Sequence, residues 1–191
     1  MARPLSFDPE QALDRAMLLF WRDGFAHVSI QAITDALGIN RPSLYATFGD
    51  KEALFLKALQ AYRARYPGRA LDALKTAPPG RAALVALFEA VRDAYTEPSS
   101  PPGCMMMCAS MEWSKEGPVL DFLQAFRNEF IAGVRQAVDD AQRRGEIAPG
   151  KDPDALTQYL IFTLRAVAME ARATKDRPHV ARMIDQALGS L

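Results

Sequence analysis

Two cysteines and two histidines in 191 residues exclude several kinds of chemistry at the outset. Cys104 and Cys108 are too few for a disulfide framework and fit a reducing compartment, while His27 and His179 stand too far apart to suggest a zinc pattern. No Glu-x-x-His metal pair and no glycine-rich phosphate loop occurs, and neither histidine has a neighbouring nucleophile or carboxylate that reads as catalytic. No catalytic residue, metal ligand or cofactor is therefore expected. No window reaches the roughly 18 consecutive apolar residues of a membrane span, and Met1 to Leu5 lack the apolar stretch of a signal peptide. The expectation is a cytoplasmic protein with no membrane partner. An excess of positive charge is missing too: basic and acidic residues number 23 each. That balance disfavours a nonspecific polyanion binder, so any basic footprint has to come from placement, with Arg3, Arg41 and Lys51 as the candidates.

What is present is 49% hydrophobic and 24% charged, an ordinary folded chain long enough for one large or two small cores. Its most informative stretch runs from Ser29 to Leu54. Ser29 is a good helix N-cap, and Ile30, Ile33 and Leu37 recur behind it at helical spacing. Gly38 supplies the left-handed residue that closes a helix, and Asn40 caps a new one in which Pro42 is tolerated in the first turn. A helix, a three-residue turn and a second helix make the pattern of a DNA-reading helix-turn-helix. On the second helix Leu44 and Phe48 face inward, leaving Arg41, Ser43, Tyr45 and Thr47 outward as donors for phosphates and base edges. Arg41 suits a bidentate contact to guanine. Asp50 caps a third helix and sets Lys51 in its first turn, where a phosphate is favoured. The DNA-binding candidates are Ser29, Asn40, Arg41, Pro42, Ser43, Tyr45, Thr47 and Lys51.

Ile33, Leu37-Gly38-Ile39 and the run from Leu44-Tyr45 through Phe48-Gly-Asp-Lys51 to Leu54 together resemble the signature of the tetracycline-repressor (TetR) family. The resemblance covers about the first 60 residues in order, spacing and residue type. It implies an all-α protein: a three-helix helix-turn-helix domain over 1–50, whose last contact helix runs on to about 66, and a helical ligand-binding and dimerisation domain over 51–191. It also implies a dimeric one-component regulator with double-stranded operator DNA and a small inducer as partners. Pro42 and Ala46 depart from the residues common in the family, so the operator sequence does not carry over.

Along the chain, Asp8-Pro9-Glu10 starts a helix that carries Trp21 on its apolar face and stops at Gly24. The helix from Asp50 to about Tyr66 is long enough to reach from DNA to a cavity, at 1.5 Å per residue, and is the natural lever. Pro67-Gly68 breaks it, and Ala77-Pro-Pro-Gly80 is a second break after a short helical piece. Residues 80–96 form an amphipathic helix, a breaker-rich loop follows to Gly103, and Cys104 to Trp113 reads as a short buried helix. Its methionines fill cores and also adapt to varied ligands. The resemblance puts cavity lining ahead of core, which makes Phe88, Tyr95, Cys104, Met107, Cys108, Met111, Trp113 and Phe126 the ligand candidates. Cys104 and Cys108 lie four apart, one face of a helix, yet no Lys, Arg or His adjoins them in sequence to lower a thiol pKa. Two small buried hydrophobes are favoured over a redox pair.

Pro118 to Arg144 is the longest periodic run, and the helix opened by Asp152-Pro153 is apolar nearly all round from Leu156 to Met169, so it needs cover on two sides. The resemblance supplies a second subunit for one of them, with Phe130, Val134, Leu156, Tyr159, Leu160 and Val167 as dimer candidates. Arg165 and Glu170 rank first as a solvated pair, then as an interface salt bridge, then as ligand contacts. Lys175 to Leu191 reads as a last short helix or tail. The function expected is a sequence-specific transcriptional repressor released from a palindromic operator by a small hydrophobic inducer. The alternatives are a dimeric helical adaptor without specific DNA binding, or an enzyme on a helical bundle.

Overall fold

The structure, a computed structural model, describes residues 7–189, so Arg3 lies outside the described residues. Among these every regular element is a helix, and there are ten. The first four begin on side-chain caps. In α1 (Pro9–Asp23) the Asp8 carboxylate accepts from the N–H of Glu10 at 2.9 Å, and Pro9 occupies the first position, where no N–H is needed. In α2 (Ile30–Leu37) Ser29 Oγ accepts from Ala32 N–H at 3.0 Å. Gly38, at φ 70°, takes the left-handed conformation that ends α2, and Asn40 caps α3 (Arg41–Phe48) by accepting from Ser43 N–H at 2.9 Å. Asp50 does the same for α4 (Lys51–Arg65) through Ala53 N–H at 2.8 Å.

Next come α5 (Pro67–Thr76), α6 (Arg81–Thr96), α7 (Met105–Glu112) and the two long helices α8 (Pro118–Arg143) and α9 (Pro153–Thr174), with α10 (Arg177–Gly189) last. The expected breaks after Tyr66 and around Pro78 and Pro79 separate α4 from α5 and α5 from α6. No described helix is long and apolar enough to cross a membrane.

Two cores form. The first joins α1 to α4 with α7 and the start of α8, and it is rich in aromatic edges: Trp21 meets Tyr62 at 4.8 Å and Tyr66 at 4.9 Å, and Phe55 meets Phe20 at 5.0 Å. Each fully buried large side chain of this kind contributes about 1.5–3 kcal/mol of transfer free energy. The second core gathers α5, α6, α8, α9 and α10 around Leu84, Leu87, Phe88, Val138, Leu164 and Ile184. Gly103, at φ 83°, passes so close to α9 that a Cβ there would meet the Ala168 carbonyl at 2.8 Å, so the loop ahead of α7 seats directly on the α9 backbone.

Candidate DNA-facing helix and ligand cavity

The helix-turn-helix assembles as its pattern requires. Ile33 and Leu37 of α2 and Leu44 and Phe48 of α3 are buried together, turning Arg41, Pro42 and Tyr45 to solvent. Arg41 donates to Gln31 Oε1 at 3.1 Å, and Gln31 donates to Asp35 at 2.8 Å, so a polar chain along the outer face of α2 holds the guanidinium. Gln31 was not singled out in the sequence, because nothing marks a contact ten residues away. The Tyr45 ring is 47% exposed. Ser29 and Asn40 spend their side chains on caps, and Ser43 is half-buried.

Two expectations at this end change. Thr47 is not outward: its hydroxyl is buried and has no hydrogen-bond partner. The reason is helical spacing, since position 47 lies three residues after Leu44 and turns with it toward the core. Lys51 does not stand free either. Its ammonium donates to the Phe25 carbonyl at 2.7 Å and lies 4.1 Å from the centre of the Phe25 ring. Desolvation there, with Lys115 nearby, lowers its pKa. An ammonium has three N–H donors, so further donors remain for an anion.

At the other end of α4 lies a cavity of about 380 Å³. Of the expected ligand residues, Tyr95, Cys104, Met107, Met111 and Phe126 line it. Three do not. Phe88 is fully buried in the second core. Trp113 packs on Phe25 at 4.8 Å and Phe55 at 5.6 Å, on the DNA-facing side of α7. Cys108 opens onto a small recess beside Phe20, Phe25 and Phe55, and burial pushes its thiol pKa up. α7 turns one face to the first core and another to the cavity, so residues one or two positions apart part company.

Residues outside the ligand candidates complete the wall: Tyr62 and Tyr66 from the α4 end, Arg127 and Leu123 from α8, and from α9 Leu164 and Arg165, the latter weighed in the sequence as a ligand contact only in third place. Tyr62 and Tyr95 share hydrogen bonds with the Cys104 side chain, and burial holds both phenols well above the ordinary tyrosine pKa, so they stay neutral. Tyr66 exchanges a 2.9 Å hydrogen bond with the Ser100 hydroxyl.

The dimer candidates also divide. Val134, Leu160 and Val167 are buried inside one subunit, in the second core, and have no surface to offer a partner. Phe130 lines the cavity. Leu156 is half-buried, and Tyr159 is 55% exposed. Phe162 at 58% and Met169 at 52% share its face, and their spacing of three and seven residues makes a continuous stripe on α9. Periodicity could not select this face, because a helix apolar on all sides has no phase. Arg165 and Glu170 do not pair: Glu170 faces His179 at 3.3 Å, and Arg165 turns to the cavity. Five residues apart, they point away from each other.

One further link joins the two ends. Arg172, two turns beyond Arg165 on α9, donates to the carbonyls of Trp21 at 2.8 Å and Arg22 at 2.9 Å. It thus caps the C-terminus of α1, where unsatisfied carbonyls favour a cation.

Comparison with known proteins agrees with this arrangement. Residues 12–58 match the family described as bacterial regulatory proteins, tetR family, and residues 80–187 match the tetracyclin repressor-like C-terminal domain. The chain is 31% identical over 173 residues, 89% of its length and 82% of the relative's, to the HTH-type transcriptional repressor ComR of Escherichia coli. It is 39% identical over 105 residues, 55% of its length and 53% of the relative's, to the repressor BdcR of the same species. Among solved structures it is similar to a cysteine mutant of the TetR family regulator CifR, complexed with 26-base-pair operator DNA. That match has a TM-score of 0.84 and 31% identity, and covers 98% of this chain and 99% of the other.

Proposed function

The chain belongs to the TetR family of bacterial regulatory proteins, and from that premise we propose that it acts as a homodimeric repressor whose operator affinity falls when a small molecule fills the cavity. The carrying observation is the single helix α4. Its first residue, Lys51, sits beside the DNA-facing helix, and its far end supplies Tyr62 and the adjoining Tyr66 to the cavity wall, with 15 residues or about 22 Å between the ends. ComR and BdcR are both named repressors, and the CifR structure contains operator DNA, which supports the same activity here.

In the dimer, the stripe of Tyr159, Phe162 and Met169 on α9 meets its own copy about a twofold axis, and two α3 helices enter successive major grooves roughly 34–36 Å apart. A ligand lowers affinity only by binding more tightly to a form with the wrong separation. Two parts of the wall convert its position into motion of the DNA-facing end: α4 through Tyr62, and α9 through Arg172 on α1. The regulator works in the cytoplasm, where its DNA is.

The test is a mobility shift with DNA flanking the protein's own gene, with unrelated competitor DNA at two salt concentrations. Saturable binding of one dimer to a short inverted repeat is expected. Arg41→Ala should weaken binding and relax base preference, whereas Tyr45→Phe and Lys51→Ala should weaken it alike on all sequences. Unchanged affinity in all three variants would refute the assignment of the interface. Phe162→Glu should leave a folded monomer in sedimentation velocity, and an intact dimer would move the interface elsewhere.

A further inference from the structure

The cavity wall is charged in one sense only. Its lining contains Arg127 and Arg165 and no Asp, Glu, Lys or His. Neither arginine has a hydrogen bond or ion pair within the described residues; Arg127 is exposed and Arg165 is half-buried. Arg165 stands out among the partly buried arginines. Arg63 pairs with Glu129, Arg92 with Asp185 and Arg135 with Asp139, while Arg172 and Arg177 donate to backbone carbonyls. Only Arg165, of this half-buried set, has no described partner. A guanidinium against apolar walls without a counter-charge costs free energy that a bound anion recovers.

The geometry points to an amphipathic carboxylate as the ligand of this cavity: the carboxylate on Arg165 with Arg127 at the rim, and an apolar body against Phe126, Phe130, Leu164 and the α7 methionines. This rests on the reading of the cavity as the inducer site. At about 380 Å³ the space lies near the lower end of the roughly 300–1,000 Å³ typical of small-molecule sites, so the body is a medium alkyl chain or a single ring system. A guanidinium matches a carboxylate bidentately. A phosphate is less well served. Arg127 and Arg165 both sit in mid-helix, where backbone N–H groups are already used, and phosphate sites commonly recruit free N–H groups at a helix start. Tyr62 and Tyr95 stay neutral and so do not invite a cation.

The probes are octanoate, decanoate and phenylacetate, each beside its matching primary alcohol, and decyl phosphate, titrated calorimetrically into the full-length protein. At least one carboxylate should bind tenfold or more tightly than its alcohol. Arg165→Gln should erase that preference, Arg165→Lys should restore part of it, and Arg127→Gln should reduce it less. Equal binding of acid and alcohol, binding of the phosphate alone, or binding of none of the probes overturns the proposal. So does an Arg165→Gln protein that binds the acid normally but sediments as a monomer, because the arginine would then pair across the subunit interface. Operator binding is measured separately by mobility shift. Carboxylate binding without operator binding sinks the repressor reading alone, and operator release by the alcohols but not the acids sinks this one alone.

Discussion

The two ends of the molecule start their helices differently. Each of α1 to α4 begins on a side chain that accepts from its first turn, Asp8, Ser29, Asn40 and Asp50 in order. None of α5 to α8 does: they follow Tyr66, Gly80, Cys104 and Gly117 without a side-chain cap bond, and side-chain caps return only at α9, where Asp152 accepts from Asp154 N–H, and at α10, where Asp176 accepts from His179 N–H. A cap is worth about 1 kcal/mol and fixes where a helix begins, so the DNA-facing end is specified locally, residue by residue. The middle of the chain, α5 to α8, depends instead on packing between distant segments, and the hollow that α5 to α8 help to line leaves that packing incomplete. Rigidity at one end and freedom at the other suit a regulator that presents a fixed α3 and responds through a wall that can rearrange.

The sharpest way to break this contrast is to remove one large side chain from each end. Trp21 is 1% exposed and holds Tyr62 and Tyr66 edge-on. Trp21→Ala should cost about 3–5 kcal/mol in urea unfolding. Met107, on the cavity wall and half-buried, borders space that is already empty, so Met107→Ala should cost less than about 1.5 kcal/mol. Similar losses in the two variants would mean that the cavity wall is as tightly determined as the DNA-facing core.

The same contrast decides what was legible in the sequence. Caps, the Gly38 turn and the Leu44 and Phe48 pair are local patterns, and they delivered α1 to α4 and the family. The dimer and cavity faces are set by which way a helix is turned in the fold. α9 is apolar all round, so Val167 and Phe162 look alike in sequence, though one is core and the other is exposed. α7 presents Met107 to the cavity and Cys108 to the first core one residue later. Arg165 carried a usable signal as a lone cation in an apolar helix, but its sequence neighbour Glu170 suggested a pair that the helix geometry forbids. The tie from Arg172 to α1 spans about 150 residues and left no mark at all.

A middle-sized effect tests whether the two ends communicate through that tie. Arg172→Gln removes two charge-assisted hydrogen bonds to the α1 carbonyls, worth about 1.5–3 kcal/mol each at most. The variant should fold, bind operator, and respond less to ligand. The fold-change in operator affinity on adding a saturating ligand should drop toward one, against the 1–3 kcal/mol of coupling that is typical, about 5- to 150-fold. The readout is operator Kd by fluorescence anisotropy with and without ligand. An undiminished response would place the whole transmission on α4.

The smallest expected effect concerns the buried Thr47 hydroxyl, which with the Trp21 indole N–H is one of two buried side-chain polar groups at the DNA-facing end that have no hydrogen-bond partner among the described residues. An unpaired buried hydroxyl costs free energy, and valine has nearly the same shape without it. Thr47→Val should therefore raise stability by up to about 1 kcal/mol and leave operator affinity within about twofold, since the side chain faces Leu44 rather than DNA. The two measurements separate two origins for the hydroxyl. Gained stability with unchanged binding marks it as a cost to the fold that DNA binding does not use. Lost operator affinity would show that the side chain turns outward on DNA, and that the most locally specified part of the molecule also rearranges when it binds.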